Sequence, residues 1–429
     1  MKILYLAHRI PYPPNKGEKI RAWRQVEHLA ARHDVWCACF ADRTEELRYA
    51  GKLREVCRDA VVIPLHKPRA LLKGLAGLAC GSTVTENYFR SPAMRRALST
   101  WSREIGFDVV AAFSSSMAPY ALGVEARRHV LDLCDVDSAK WAEYAKRSNP
   151  ILRVLYQEES KRLARRESLW VNAFDATLVI THEEAKVLSW DHPDGRLHVI
   201  GNGVELVDDM SVGTESSTPT VGFVGALDYF PNVDGLEWFA REVWPAVRRS
   251  CPQAELRMVG HSPVKRVRRL AKIAGVRVIG PVEDAAEEVR TFHVSVAPLR
   301  IARGLQNKVL EAMAAGRPVV LTSNAARGIR ANHGAEYLVA DDPADWARHV
   351  VRLLGNAGER TRLGEAAQRF VERHHNWKPI LRRFEQVVTG IGPSRAARSL
   401  LLGEAAGSLL QADDPPRDRR PLPSPAVIE

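Results

Sequence analysis

Between Ala297 and Val320 the chain reads Ala297-Pro-Leu-Arg-Ile-Ala-Arg-Gly-Leu-Gln-Asn-Lys-Val-Leu-Glu-Ala-Met-Ala-Ala-Gly-Arg-Pro-Val-Val320, a run rich in groups able to hold an anion. The pattern predicts a strand, a loop containing Gly304, a helix from about Gln306 to Ala315, Gly316 at its end, then Pro318 and another strand. A helix start offers unpaired N–H groups and the positive end of the macrodipole. Arg300, Arg303 and Lys308 add three cations within nine residues, and Glu311 follows Lys308 on the same helix face. A cationic helix start suits a diphosphate, and a carboxylate one turn further suits sugar hydroxyls. A solvated helix with a Lys–Glu surface pair accounts for the same residues.

Asp135 and Asp137 follow the strand Val130 to Leu133, at its carboxyl end. They could orient a hydroxyl or stabilise positive charge developing on a sugar. Asp137 or Ser138 capping the next helix explains them equally, and a divalent metal on Asp-x-Asp is a weaker third reading. Asn15 to Arg21 is a glycine-containing turn from the first strand into a helix, which brings the Gly17 N–H groups near a bound phosphate. Turn chemistry alone would also require that glycine. His8, at the end of the first strand, is a further candidate, although a lone histidine is more often structural.

Strands alternating with helices must position these groups. Lys2–Ala7, Val35–Phe40, Val61–Leu65, Val109–Phe113, His129–Leu133 and Thr177–Ile180 form one series. Val221–Gly225, Glu255–Gly260, Val276–Ile279, Val294–Ala297, Pro318–Leu321 and Glu336–Ala340 form a second. The alternation predicts two α/β domains, each a doubly wound parallel sheet. Residues 1–203 make the first and 220–376 the second, joined by a polar linker at 204–219. A helix at 377–391 crosses back to the first domain, and 392–429, rich in Ala, Pro, Arg and Ser, is a disordered tail. Open parallel sheets bind ligands outside the carboxyl ends of their strands, so the expected site is the cleft between the domains.

Composition narrows the classes. The 429 residues are 45% hydrophobic and 26% charged, which excludes a disordered or collagen-like chain. Six cysteines form no CxxC pair, so a zinc ribbon and a small disulfide scaffold are excluded and reduced cytosolic thiols are expected. The first residues lack a signal-peptide run, and the apolar stretch Ala70 to Cys80, broken by Lys73, is too short to span a bilayer. The net charge of +11 admits nucleic acid, an anionic membrane face or an anionic substrate. No zinc-finger or RRM signature accompanies it, which disfavours nucleic acid. A basic helix, Ile151 to Val171, carries Arg153, Lys161, Arg162, Arg165 and Arg166 as a solvated face or a membrane or partner surface. A nicotinamide dehydrogenase would need GxGxxG after an early strand, which His8 to Gly17 does not supply.

The Ala297–Val320 block resembles the C-terminal signature of family 4 (group 1) glycosyltransferases, retaining nucleotide-sugar enzymes of GT-B fold. In that family two glutamates are separated by seven intervening residues. Glu311 matches the second, which holds the nucleotide ribose, while Arg303 stands where the first contacts the donor sugar. Gly222 to Phe239, including Gly225, is similar to the first strand, loop and helix of the donor domain. No cation lies between Gly222 and Arg241, so Arg300, Arg303 or Lys308 would supply the charge for the phosphates. Val199 to Glu205 resembles the Asn-Gly-Val hinge, and Gly280 to Asp284, with Val282, the loop that packs on the base. Thr181-His-Glu-Glu184 matches the family's Ser/Thr-x-x-Glu and is also a capping box, the favoured reading. His8 to Arg21 and Asp132 to Trp141 resemble the sugar-transferase subgroup associated with PEP-CTERM exopolysaccharide systems. The family's mid-domain catalytic histidine has no counterpart in Phe113-Ser-Ser-Ser-Met117.

The resemblance, spanning nearly the whole chain to about residue 388, implies a GT-B fold and a retaining transfer. A sugar would move from a nucleotide-diphosphate sugar to a saccharide acceptor, lipid-linked, in exopolysaccharide synthesis. Asp135, Asp137 and His8 are the catalytic candidates. Gly17, Gly225, Val282, Arg300, Arg303, Gly304, Lys308 and Glu311 are the donor-binding ones. No cofactor or metal is expected, and the location is cytoplasmic, with the inner face of the cytoplasmic membrane as a peripheral option. A GT-B epimerase and a non-catalytic saccharide-binding assembly subunit are the alternatives.

Overall fold

The computed structural model describes residues 1–146, 148–188, 196–206, 216–282 and 284–391. Residues 207–215 of the expected linker and the whole 392–429 tail lie outside the described residues. The first sheet has seven parallel strands: β1 (Lys2–Ala7), β2 (Asp34–Ala41), β3 (Asp59–Pro64), β4 (Phe107–Phe113), β5 (Ala126–Cys134), β6 (Ala176–Val179) and β7 (Leu197–Val199). Their spatial order is β3-β2-β1-β4-β5-β6-β7. The second sheet has six: β8 (Thr220–Val224), β9 (Glu255–Val259), β10 (Val276–Ile279), β11 (Val294–Ala297), β12 (Val319–Leu321) and β13 (Leu338–Val339). Their order is β10-β9-β8-β11-β12-β13. The strand order reverses between β1 and β4 and again between β8 and β11, which opens a crevice at the carboxyl ends of those strands.

Strands buried on both faces read as near-continuous apolar runs, and β1 shows why. Its Leu4 and Leu6 join Phe40, Val110 and Leu131 on one side of the sheet. Ile3, Tyr5 and Ala7 join Cys37, Cys39, Val109 and Val130 on the other. Phe384 and Val388, from the helix Trp377–Thr389, are buried in that second cluster. Glu385 of the same helix hydrogen-bonds His28 at 2.8 Å and His33 at 3.1 Å. The chain passes between the domains twice, and the two passages lie side by side. Val204 N–H donates to His375 C=O at 2.8 Å, His375 Nδ1 lies 2.9 Å from Asn202 C=O, and Val204 bridges Asn376.

Two strands differ from the sequence expectation. The run Glu336 to Ala340 contributes only Leu338–Val339, because its flanks turn back on themselves, with Gly334 N–H donating to Tyr337 C=O at 2.8 Å. The edge strand β7, three residues long, was not anticipated, since so short a run carries no readable alternation.

Candidate functional site

The helix Asn307–Ala314 begins beyond β11, with its N-terminus at the crevice. Lys308 does not lie on a solvated face. Its Nζ donates to Asn232 Oδ1 at 2.6 Å and sits 5.0 Å from the centre of the Phe223 ring. Asn232 is held by its own amide, which donates to Ala226 C=O at 2.8 Å, and a Cβ on Gly225 would come within 3.1 Å of that amide nitrogen. Burial pushes the Lys308 ammonium down to about 8, against the pull of Glu311. Burial pushes the Glu311 carboxyl up, against the pull of Lys308. The surface pair therefore gives way to two withdrawn charges that compensate each other incompletely.

The other two cations are committed elsewhere. Arg300 forks onto Asp234, with Nε at 3.0 Å and the terminal nitrogen at 2.6 Å, and lies 6.0 Å from the Trp238 ring centre. Its neutralisation by Asp234 departs from the expectation of a cation open to phosphate. Arg303 reaches across the cleft to Glu184 at 3.3 Å, where the Glu184 side chain is only 2% exposed. Of the three expected phosphate cations, Lys308 alone has no carboxylate within ion-pair distance among the described residues.

The cleft is crossed at three further points. Gly304 has φ +63°, open to glycine without strain, and a Cβ placed there would fall 2.0 Å from Asp135 Oδ1. Gly17, first residue of the helix Gly17–Ala30, abuts Asn307, whose amide nitrogen would be 2.9 Å from an added Cβ. Asn307 Oδ1 accepts from Asn202 Nδ2 at 3.0 Å, and Asn202 Oδ1 accepts from Arg21 at 2.9 Å. Arg21 is buried against Asp132 at 2.9 Å, so a polar chain runs from the first sheet through the hinge to the second helix start. A buried pair of this kind holds position more than it adds stability.

Asp135 stands at the carboxyl end of β5 with its Oδ1 enclosed and accepting no hydrogen bond among the described residues. Burial, with Glu184 and Asp137 adding to it, pushes its carboxyl up to about 6, against the pull of Lys140 and Arg303. Asp137 accepts from Ser115 Oγ at 2.5 Å. Among the described residues neither Asp137, whose carboxylate turns to Ser115, nor Ser138 caps the helix Asp137–Lys146 by its side chain as the sequence allowed. Glu184 accepts from Val136 N–H at 2.7 Å and Glu167 from Ser138 N–H at 3.1 Å. Two carboxylates from other helices thus occupy the positive helix end, and burial pushes Glu167 up to about 8. Thr181 does cap its helix, accepting from Glu184 N–H at 3.1 Å, but the Glu184 carboxylate turns to Val136 and Arg303 rather than closing the capping box.

His8 is stacked on Phe113 and meets Phe89 edge-on, with centroids 5.9 and 6.0 Å away. Burial, aided by Arg9, lowers it to about 3, so the ring is neutral at physiological pH. Val282 lies in the loop after β10, packed on the second-domain core. Asp135, Lys140 and Tyr144 from the first domain and Tyr229, Leu299, Arg303 and Gln306 from the second line a small solvent-connected pocket in the cleft. No group of three or more His, Cys, Asp or Glu placed to hold a metal ion occurs among the described residues. Lys140, Ser115, Glu167 and Asn232 belong to this constellation although residue type and spacing did not single them out, and Asn202, expected only as part of the hinge, joins them.

Residues 218–356 match the family described as Glycosyl transferases group 1. A curated protein of Klebsiella pneumoniae, described as an uncharacterized 44.6 kDa protein in the cps region, is 24% identical over 166 residues. That alignment covers 37% of this chain and 43% of the relative, less than half of either. Among solved structures, Anabaena HepE in complex with UDP is 14% identical with a TM-score of 0.64, covering 91% of this chain and all of that one. Sucrose-phosphate synthase from Thermosynechococcus elongatus is 17% identical with a TM-score of 0.66, over 94% of this chain and all of that one. WaaG, a glycosyltransferase involved in lipopolysaccharide biosynthesis, is 15% identical with a TM-score of 0.61, over 90% of this chain and all of that one. At these identities the structures speak for the fold: two facing parallel-sheet α/β domains of GT-B type, the second of which carries the group 1 match.

Proposed function

We propose that the protein is a glycosyltransferase that moves a sugar from a nucleoside-diphosphate sugar to a saccharide acceptor. The observation that carries this reading is the pair Lys308 and Glu311 at one helix start, both half-buried, with Lys308 Nζ on Asn232 Oδ1 and both groups displaced toward their neutral forms. A diphosphate beside Lys308 and ribose hydroxyls on Glu311 would supply the partners each charge lacks. In the transfer, the bond from the anomeric carbon to the diphosphate breaks, and the helix N-terminus with Lys308 receives the departing charge. The acceptor hydroxyl attacks that carbon from the side of Asp135, whose carboxylate lines the cleft and takes the hydroxyl proton. The products are the glycoside and the nucleoside diphosphate, with the acceptor proton on Asp135.

The finer parts of this reading are retention of configuration, a lipid-linked acceptor, a role in exopolysaccharide synthesis and work on the cytoplasmic face of a membrane. Their support is the motif resemblance, the +11 charge and the cations of the helix Pro150–Ala173. A non-catalytic binding subunit is favoured by one observation: Arg303, where the resemblance expects a glutamate, is tied to Glu184. The test is a thermal-shift panel of UDP, GDP, ADP and their sugar conjugates, with NAD as control, followed by transfer assays on whichever conjugate binds. Stabilisation of wild type but not Glu311→Ala, with turnover, supports the transferase; stabilisation without turnover supports the binding subunit.

A further inference from the structure

The helix Lys67–Ala79 is built inside out. Its buried residues are Ala70 and Gly74, with Gly77 half-buried beside them on the same face. Leu71, Leu72 and Leu75 are 51%, 68% and 40% exposed. Rotation cannot bury them. A Cβ on Gly74 would sit 2.9 Å from Val84 Cγ1, and one on Gly77 would sit 2.2 Å from the Asn87 amide nitrogen, so the face against the helix Val84–Tyr88 admits only small residues. The hairpin is also pinned from outside. Glu159 accepts from Val84 N–H at 2.6 Å and Thr85 N–H at 2.9 Å, and Arg162 donates to Leu78 and Ser82 carbonyls.

The charges on this helix itself have one sign. Lys67, Arg69 and Lys73 lie on this helix, and no acidic residue occurs from Lys67 to Thr85. Arg69 and Lys73 are exposed and form no ion pair among the described residues, while Lys67 lies 3.7 Å from Asp42. Asp42 also holds Arg9, next to His8, so the helix begins beside the mouth of the cleft. Exposed leucines flanked by cations match the interface of an anionic bilayer, where the apolar face enters the acyl boundary and the cations meet headgroups.

We infer that the helix Lys67–Ala79 is the element that docks this protein on an anionic lipid surface, with Leu71, Leu72 and Leu75 inserted and Arg69 and Lys73 against the headgroups. This rests on the reading that the protein works at a membrane, and it assigns that contact to this helix rather than to the basic helix Pro150–Ala173. It does not depend on which sugar is moved.

The test is cosedimentation of the full chain with phosphatidylcholine vesicles, with and without about a third phosphatidylglycerol. Wild type should bind the anionic vesicles. The triple variant Leu71→Ser, Leu72→Ser, Leu75→Ser should bind at least about tenfold more weakly. Arg69→Ala and Lys73→Ala should each weaken binding about fivefold. Arg153→Glu with Lys161→Glu and Arg165→Glu should bind within about twofold of wild type, and a Leu72→Trp probe should shift its emission to the blue on vesicles. Unaltered melting and nucleotide shifts check that each variant is folded. Wild-type binding by the leucine variant overturns the inference. Loss confined to the Arg153 variant also overturns it and leaves the membrane reading standing, whereas no binding by wild type overturns both. A dimer that the leucine variant turns into a monomer, with no loss of vesicle binding, assigns the leucines to a second copy and overturns it as well.

Discussion

Asp135 and Gly304 meet across the cleft so closely that one methyl group cannot be placed between them: a Cβ on Gly304 would lie 2.0 Å from Asp135 Oδ1. Gly304 also holds φ +63°, where an L-residue costs about 1–2 kcal/mol. Gly304→Ala is therefore expected to force the two domains apart at this point. Transfer activity should fall by at least about a hundredfold while nucleotide binding falls less, because a displacement of order 1 Å at the reacting centre carries that penalty. An alanine variant with wild-type kcat/KM in a transfer assay would remove Asp135 from the site.

Asp135→Asn separates stability from activity. Its folded carboxyl, up at about 6, lies above the unfolded value, so the native state binds more protons than the unfolded state between about pH 4 and 6. Ionised Asp135 thus opposes folding at neutral pH, and that cost fades as pH falls through 6 toward 4. The amide should raise the melting temperature at pH 7.5 by several degrees, on the order of 2 kcal/mol, and lower transfer at least a hundredfold. Wild-type kcat/KM should decline below about pH 6. A melting point that drops, with activity retained, contradicts the role.

Lys308 predicts a proton count. Free, it titrates near 8. A diphosphate beside it restores the charged form, so binding at pH 8 should take up about half a proton, rising at higher pH and vanishing near pH 6. Calorimetry in buffers of different ionisation enthalpy measures this directly. Lys308→Met should abolish the uptake, and equal uptake in both proteins would place the diphosphate elsewhere.

Glu184 and Arg303 act on Asp135 with opposite sign, the carboxylate raising it and the guanidinium lowering it. Glu184→Gln keeps an acceptor for Val136 N–H and should move the acid limb of the activity profile down by at least about half a pH unit. Arg303→Ala should move it up, and by stranding the Glu184 carboxylate should cost about 1–3 kcal/mol in urea denaturation. Parallel movement of both variants would show that the limb belongs to another group.

The buried strands and the helix start at Lys308 were legible because local apolar runs and a local cation cluster encode them. The partners of those cations were not. Arg300 finds Asp234 66 residues away and Arg303 finds Glu184 119 away, distances at which spacing carries no signal. The Asp137 helix looked self-capping, yet its caps come from residues 29 and 48 positions on. A trace of this existed: Glu159 and Glu167 fall on the same stripe as Leu163 and Trp170 of an otherwise basic helix, acids where apolar residues belong. The outward face of the Lys67 helix was not legible either. Its sequence showed only an apolar stretch too short to span a bilayer; two glycines and an alanine own the packed face because Val84 and Asn87 come too near for anything larger.

The return of the helix Trp377–Thr389 to the first domain sets an order on synthesis. Domains generally fold as units while the chain is being made, the amino-terminal one first. Here the first sheet cannot complete its Ile3–Tyr5 side until Phe384 and Val388 arrive, after every strand of the second domain has been made. A ribosome that has finished β7 holds a sheet with one flank open, and a chain stopped at residue 376 keeps that flank open permanently. The first domain starts first and finishes last, so emergence of an intact carboxyl-terminal helix is the event that completes it.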